Sequence, residues 1–278
     1  MERLSRRGYH PRVTLPLAIA IVLGTMIIGS LVFVAVSRFS PHGGREDKTP
    51  TSVYAVTAGA MSLLIAFTLS LTFDQYLSAQ QAATSEAEAV LAMSRAATYM
   101  DPKVGEPLRD QLVCYAEGVI NVGWPALRAG DTKVPATLYQ DLVTMDSLLS
   151  SNVAAAGPGL GLWFGADEQR LAARDETLVV AGDGVPPILW LLLIIGSLIT
   201  IGSLFVYADR SKPSWGHAVV VIGPLFIASA ALVVIAFFDH PYVDTPGAIQ
   251  PVAMELTLEK MTQAPIGKFR IPSCPHPV

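Results

Sequence analysis

The sequence predicts an all-α integral membrane protein with four transmembrane helices and a helical domain inserted between the second and the third. Three observations carry that prediction. Four uncharged apolar runs are each long enough, at about 20 residues, to cross a bilayer as a helix. The second run continues without Gly or Pro into strong helix formers, through Met100. Residues 75–185 are soluble in character and repeat their apolar positions at helical spacing. Composition agrees: 51% of residues are hydrophobic and 15% charged, where soluble domains carry about 25% charged. A net charge of −4 leaves no basic footprint for nucleic acid. Cys114 and Cys274 have neither metal nor redox spacing and are too few for a disulfide framework.

Residues 1–13 carry Arg3, Arg6, Arg7 and Arg12 ahead of the first span, residues 14–37. That apolar run is longer than the core of a signal peptide, so it is read as retained. The arginines place the N-terminus in the cytoplasm by the positive-inside rule. Residues 38–51 form an outer loop, and Pro50 prepares the second span, 52–74. One helix from Ser52 to Met100 would cross the membrane and project roughly 70 Å in all.

The inserted domain, 75–185, is then cytosolic, and its acidic residues from Glu86 to Asp183 outnumber the basic ones by about two to one. Leu108, Leu112, Tyr115, Val119 and Val122 share one helical face, and Gly123 with Pro125 is expected to end that helix. Leu138, Leu142, Met145 and Leu149 repeat the period in the next one. Gly157 to Gly161 reads as a loop, and an amphipathic helix follows over 166–180, with Asp167 and Glu168 near its start. Pro186-Pro187 opens the third span, 186–208; a loop at 209–215 turns into the fourth, 216–238. Trp190 and Trp215 read as interfacial anchors, and Gly196, Gly202 and Gly223 as sites of close packing or a kink. The tail, 239–278, returns to the cytoplasm.

SLLIAFTLSLTFDQY leading into EAEAVLAMSRAA, then Tyr115, PPILWLLLIIGSLITIGSLF and FFDHPYVDTPGAIQPVAM occur in the order found in a family of bacterial membrane proteins with a bestrophin-like domain. The sequence resembles that family from Ser52 to about Met261. The resemblance implies a bestrophin plan: pentameric ion channels with four spans per subunit, a helical cytosolic region, and a second span lining a narrow apolar neck. It departs where the family carries a basic pair after the second span. This chain has Leu77-Ser78-Ala79-Gln80-Gln81 there, so no anion-binding pair is implied.

Within that plan, Ile65, Leu69 and Phe73 lie at i, i+4, i+8 and would make apolar rings around an axis, able to gate by dewetting. Thr68 and Thr72 share another face with Thr57 and Gln75 and would line a wetter route. The blander alternative is lipid-facing apolar residues and threonines bonded to their own backbone. Glu86 and Glu88 would form a negative ring favouring cations, or else a solvated face paired with Arg95. At i, i+2 the two carboxylates point about 200° apart on a helix, so they cannot act as a catalytic pair. No phosphate loop, nucleotide fingerprint or nucleophile–base set is present, and neither enzymatic activity nor a cofactor is expected. Asp239, His240 and Asp244 have metal-ligand chemistry but no dense acidic run beside them; they read as a turn in which Asp239 caps a helix and Pro241 stops it. No metal is expected.

The expected protein is a homo-oligomer in the bacterial inner membrane, pentameric by resemblance, with both termini cytoplasmic and the lipid bilayer around it. It would conduct ions along the second span with a weak preference for cations. The alternative is a non-conducting scaffold or sensor whose cytosolic helices bind a protein partner.

Overall fold

The computed structural model describes residues 15–39, 48–133, 135–182, 184–207, 215–243, 247–263 and 274. Among these there is no strand. The arginine-rich N-terminus, the loops at 40–47 and 208–214, and Asp244 lie outside the described residues.

The long helix is observed as α2, Lys48–Ala97, fifty residues without a break, or about 75 Å at 1.5 Å per residue. Among the described elements α3 (Pro102–Gly118), α7 (Gly159–Gly182), α8 (Pro187–Tyr207), α9 (Trp215–Phe238) and α10 (Val252–Gln263) pack on it. Its first half joins α1 (Leu15–Phe39), α8 and α9 in an apolar bundle. A residue built at Gly196 of α8 would strike Met61 Sδ at 2.6 Å, and one at Gly29 of α1 would strike Leu225 of α9 at 2.7 Å. Glycine is what lets these helices touch. Gly202 and Gly223 face open space instead, so they mark no close contact.

The second half of α2 is the spine of a separate helical domain. Around it lie α3 (Pro102–Gly118), α4 (Trp124–Arg128), α5 (Ala136–Ser151), α6 (Val153–Ala156), α7 (Gly159–Gly182) and α10 (Val252–Gln263). Ala79, Ala83, Ala87 and Val90 are small residues on one face, buried in the core of the domain, and α7 packs along the spine. Asp101 stops α2 and caps α3, accepting from Lys103 N at 2.9 Å. Leu108, Leu112, Tyr115 and Val119 are buried, as their spacing predicts.

Two sequence expectations are corrected here. Gly123 and Pro125 do not end a helix: Val119–Gly123 forms a π-helical turn that runs straight into α4. The Gly-rich stretch is not a loop beyond Pro158, because α7 already begins at Gly159. A Cβ on Gly159 would lie 2.7 Å from the Ala96 carbonyl, so the glycine is there for approach to α2. This earlier start also leaves Asp167 well inside α7, away from the end of its dipole.

The segment after α9 folds back on the domain. Trp124 Nε1 donates to the Ile249 carbonyl at 3.1 Å, Tyr76 OH to Gly247 at 2.8 Å, and Thr257 Oγ1 to Ala87 at 3.2 Å. Cys114 of α3 is bonded to Cys274, so the two cysteines form one bridge despite their sequence separation of 160. Closing so long a loop stabilises by about 2–4 kcal/mol. Cys274→Ser, or reduction of the purified protein, is therefore expected to lower the melting temperature. Peptide mapping without reductant should recover the 114–274 pair; two free thiols under oxidising conditions would refute it.

Candidate functional site

From Met61 to Arg95 α2 is buried on one side and bare on the other. Leu63, Phe67, Ser70, Asp74, Gln81 and Glu88 are exposed. At 3.6 residues per turn they fall within an arc of about 60°. Leu63 is 74% and Phe67 63% exposed, so the upper stripe is apolar and the lower one polar and acidic. Beside its lower part a polar groove of about 460 Å³ runs between α2 and α7, with Glu88 and Glu176 in its walls. Ser78 Oγ donates to Glu176 Oε1 at 2.6 Å across it.

The residues singled out in the sequence sit on different sides of this helix. Thr68 and Thr72 are fully buried within the chain. Their hydroxyls donate to Leu64 and Thr68 carbonyls at 2.9 and 3.1 Å, the own-backbone bond that satisfies threonine in an apolar helix. They do not face a wet route. Ile65 and Leu69 are half-buried against the Met61–Leu193–Ile235 cluster. Each four-residue step rotates by about 40°, so only Phe73 of that series emerges, 43% exposed, at the edge of the bare stripe. Its ring meets Phe238 of α9 edge-on at 5.4 Å and stacks near Tyr76 at 6.5 Å.

Glu86 and Glu88 are split by the same geometry. Glu88 is exposed; Glu86 is 1% exposed and belongs to the interior. Glu86 Oε1 accepts from Tyr115 OH at 2.6 Å, and Oε2 faces Arg174 Nη1 at 3.6 Å. That distance gives a Coulombic pair but not a hydrogen bond, and both atoms lack a hydrogen-bond partner. Arg170, one turn earlier on α7, bonds Asp167 through Nε at 2.8 Å and stands over the Tyr115 ring at 5.2 Å. Gly123 of the π-helical turn makes room for Arg174, since a Cβ there would lie 3.2 Å from Nη2. Burial, and then the Glu86 charge, hold the Tyr115 phenol well above the usual tyrosine range. Burial pushes Tyr242 up to about 12. Both phenols therefore act as neutral, fixed donors.

Arg170 and Arg174 escaped the sequence reading because neither lies near Glu86 in the chain. The signal was available: two arginines at i, i+4 on a helix otherwise apolar at those positions.

Asp239 ties two helices of the apolar bundle together. It is buried and accepts from the Val185 N–H and from Trp190 Nε1, the latter at 3.4 Å. His240 Nδ1 lies 3.3 Å from its Oδ2. The carboxylate thus joins the end of α9 to the start of α8, and Trp190 is held by it. Among the described residues no three His, Cys, Asp or Glu side chains group as metal ligands.

The sequence matches the model of the bestrophin-like domain over residues 23–250. No curated protein matches it. Its fold is similar to crystal structures of a bacterial bestrophin homologue from Klebsiella pneumoniae. One is 13% identical, with TM-score 0.70, over 91% of this chain and 97% of that one. Another is 13% identical, with TM-score 0.65, over 88% and 95%. A further crystal structure, of a membrane protein, aligns with TM-score 0.69 at 13% identity over 90% of this chain and all of that one. The family resemblance read from the sequence is borne out, and the chain belongs to the bestrophin-like family.

Proposed function

We propose that this protein is an oligomeric ion channel of the bacterial inner membrane, assembled around the bare stripe of α2. The observation that carries the proposal is that stripe: an unpartnered face on the helix against which α3, α7, α8, α9 and α10 pack. Around a five-fold axis, Leu63 and Phe67 form apolar rings, with Phe73 at their margin, pinned by Phe238. Below them Asp74 and Glu88 form acidic rings, which favour cations. Glu86 takes no part in the rings; it holds α2 to α7 from inside.

Membrane insertion of the apolar bundle is supported by its surface. Ile27, Ile28 and Leu31 of α1 and Leu191, Leu198 and Ile199 of α8 are all exposed, far more apolar area than a water-soluble face tolerates. The stretch Ala55–Ala97 contains a window long and apolar enough to cross a membrane. In the full proposal α1, α2, α8 and α9 are the four spans, and the helical domain and both termini are cytoplasmic; in that reducing compartment Cys114 and Cys274 are held as thiols, and the bridge closes on oxidation of the purified protein.

The test is subunit counting by native mass spectrometry in nanodiscs, followed by cation flux in liposomes. A ring of five is expected, with Phe67→Ala and Phe73→Ala changing flux several-fold while the ring persists. Asp74→Asn with Glu88→Gln should lower cation over anion preference. A monomer or two-fold dimer would remove the axial pathway.

One observation favours a second reading, in which the domain docks a protein partner. A cleft of about 200 Å³ between α5 and α7 is floored by Met93, Met145 and Trp163 and rimmed by exposed Tyr139, Val143 and Leu171. A pentamer without flux would put that reading first.

A further inference from the structure

The helical domain leaves two apolar faces exposed, one on α7 and one on α10. On α7, Phe164 and Glu168 stand one turn apart, and Leu171, Asp175 and Val179 follow at the same spacing; all five are exposed. On α10, Val252, Leu256 and Lys260 make an exposed row at i, i+4, i+8, with Glu255 and Glu259 beside it. Lipid covers the bare isoleucines of the bundle, but these residues belong to the domain outside it.

The two faces lie on opposite sides of the bare stripe of α2. Ser78 and Ala82 line the groove shared with α7 and are turned by about 60–100° from Gln81 in the stripe. Tyr76 and Ala87 bond Gly247 and Thr257 of the returning segment and are turned by about 120–140° in the other sense. With the stripe toward an axis, each copy in a ring presents α7 to one neighbour and α10 to the next, the head-to-tail contact that closes a cycle.

The levels match as well. α7 runs antiparallel to α2, fixed by Gly159 against the Ala96 carbonyl at one end and by Ser78 and Glu176 at the other. The returning segment runs the opposite way, with Gly247 at Tyr76 and Thr257 at Ala87. Counted from these points at 1.5 Å per residue, Leu171 and Glu168 share with Leu256 and Lys260 one band of α2 about two turns deep, and rotation about the axis keeps that level. Charge agrees. Both arginines of α7 are buried and α5 has no basic residue, so the exposed charges of α7 are all acidic. Such a face repels an anionic lipid surface. It suits an apolar row that ends in a lysine, which α10 supplies.

We propose that α10 of one copy docks on α7 of the next, Leu256 against Leu171 and Lys260 against Glu168. The partner for this face is a second copy of the chain. The inference rests on the ring around the bare stripe of α2 and names a contact that holds it together.

The experiment uses the full chain in nanodiscs with Cys114→Ser and Cys274→Ser, which leaves no other thiol. Leu171→Cys and Leu256→Cys together, oxidised with copper phenanthroline, should give a ladder of crosslinked species up to the full ring. Either alone should run as a monomer on a denaturing gel. Lys260→Glu or Glu168→Lys should lower the ratio of ring to monomer in native mass spectra at least five-fold, because like charges then face each other. The two reversals combined should restore it. A crosslinked dimer from either single-cysteine variant would reveal a two-fold contact and overturn the proposal. A parent ring of five whose double-cysteine variant does not crosslink, and whose charge reversals change nothing, defeats this contact alone. A parent chain that is monomeric or a two-fold dimer defeats the ring and the contact with it.

Discussion

Gly105→Ala is expected to leave little or no stably folded protein. A Cβ at this position of α3 would sit 2.1 Å from the Ala97 carbonyl oxygen at the end of α2. That neighbour is backbone, so relief requires α2 and α3 to move apart at the corner that starts the helical domain. Overpacking costs about 1–3 kcal/mol where side chains can yield and more where they cannot. Gly159→Ala, against the Ala96 carbonyl at 2.7 Å and Met100 Cγ at 2.6 Å, should cost less, because part of its clash is with a flexible side chain. Gly202→Ala meets nothing within 4 Å and serves as the control. It is expected to be neutral or to stabilise by up to about 1 kcal/mol, the usual gain from replacing a helical glycine. Thermal unfolding followed by circular dichroism ranks the three. A Gly105→Ala protein that melts like the parent would show that the corner is not packed so closely.

Arg174→Met is expected to destabilise the helical domain by about 3–5 kcal/mol, the cost of stranding a buried charge. The substitution keeps an unbranched stem beside Gly123 and leaves Glu86 with Tyr115 alone. Adding Glu86→Met should recover much of the loss, since a buried ion pair replaced by apolar side chains of similar length is often neutral. The double-mutant cycle over the two positions measures their coupling. Glu88→Gln, on the exposed side of the same helix, should stay within about 0.5 kcal/mol. Strictly additive losses at Glu86 and Arg174 would show that the two charges do not act as a pair.

Much of the architecture was legible because it depends on local properties. The long helix was visible in an apolar run from Val53 that continues from Asp74 into helix formers without Gly or Pro, and it is observed over Lys48–Ala97. Pro187 starts α8 as its position suggested. Helical spacing also identified Leu108, Leu112, Leu138, Met145 and Leu149, all buried. The Gly-rich stretch misled because glycine in a loop and glycine at a close helix contact look alike in sequence. Only the neighbouring Ala96 carbonyl separates them.

The residues of the candidate site were legible as a helix but not as a side of it. Ile65, Leu69 and Phe73 form a valid helical series that winds from inside the chain's own packing to its edge. Thr68 and Thr72 look like a polar stripe and are fully enclosed. In an apolar helix, hydropathy cannot tell a face that meets its own chain from one that meets another.

By itself, then, the sequence determined the order of the helices, the apolar runs, the amphipathic domain between them and the family. These follow from hydropathy and helix propensity read over windows of a few turns. The tertiary structure decided which side of α2 is bare and which of two neighbouring glutamates turns inward. Glu86 is chosen over Glu88 by Tyr115 and Arg174, and the cysteines are joined across a sequence separation of 160. The physical reason is that one residue along a helix turns a side chain by about 100°, while the partners that select the orientation come from distant segments.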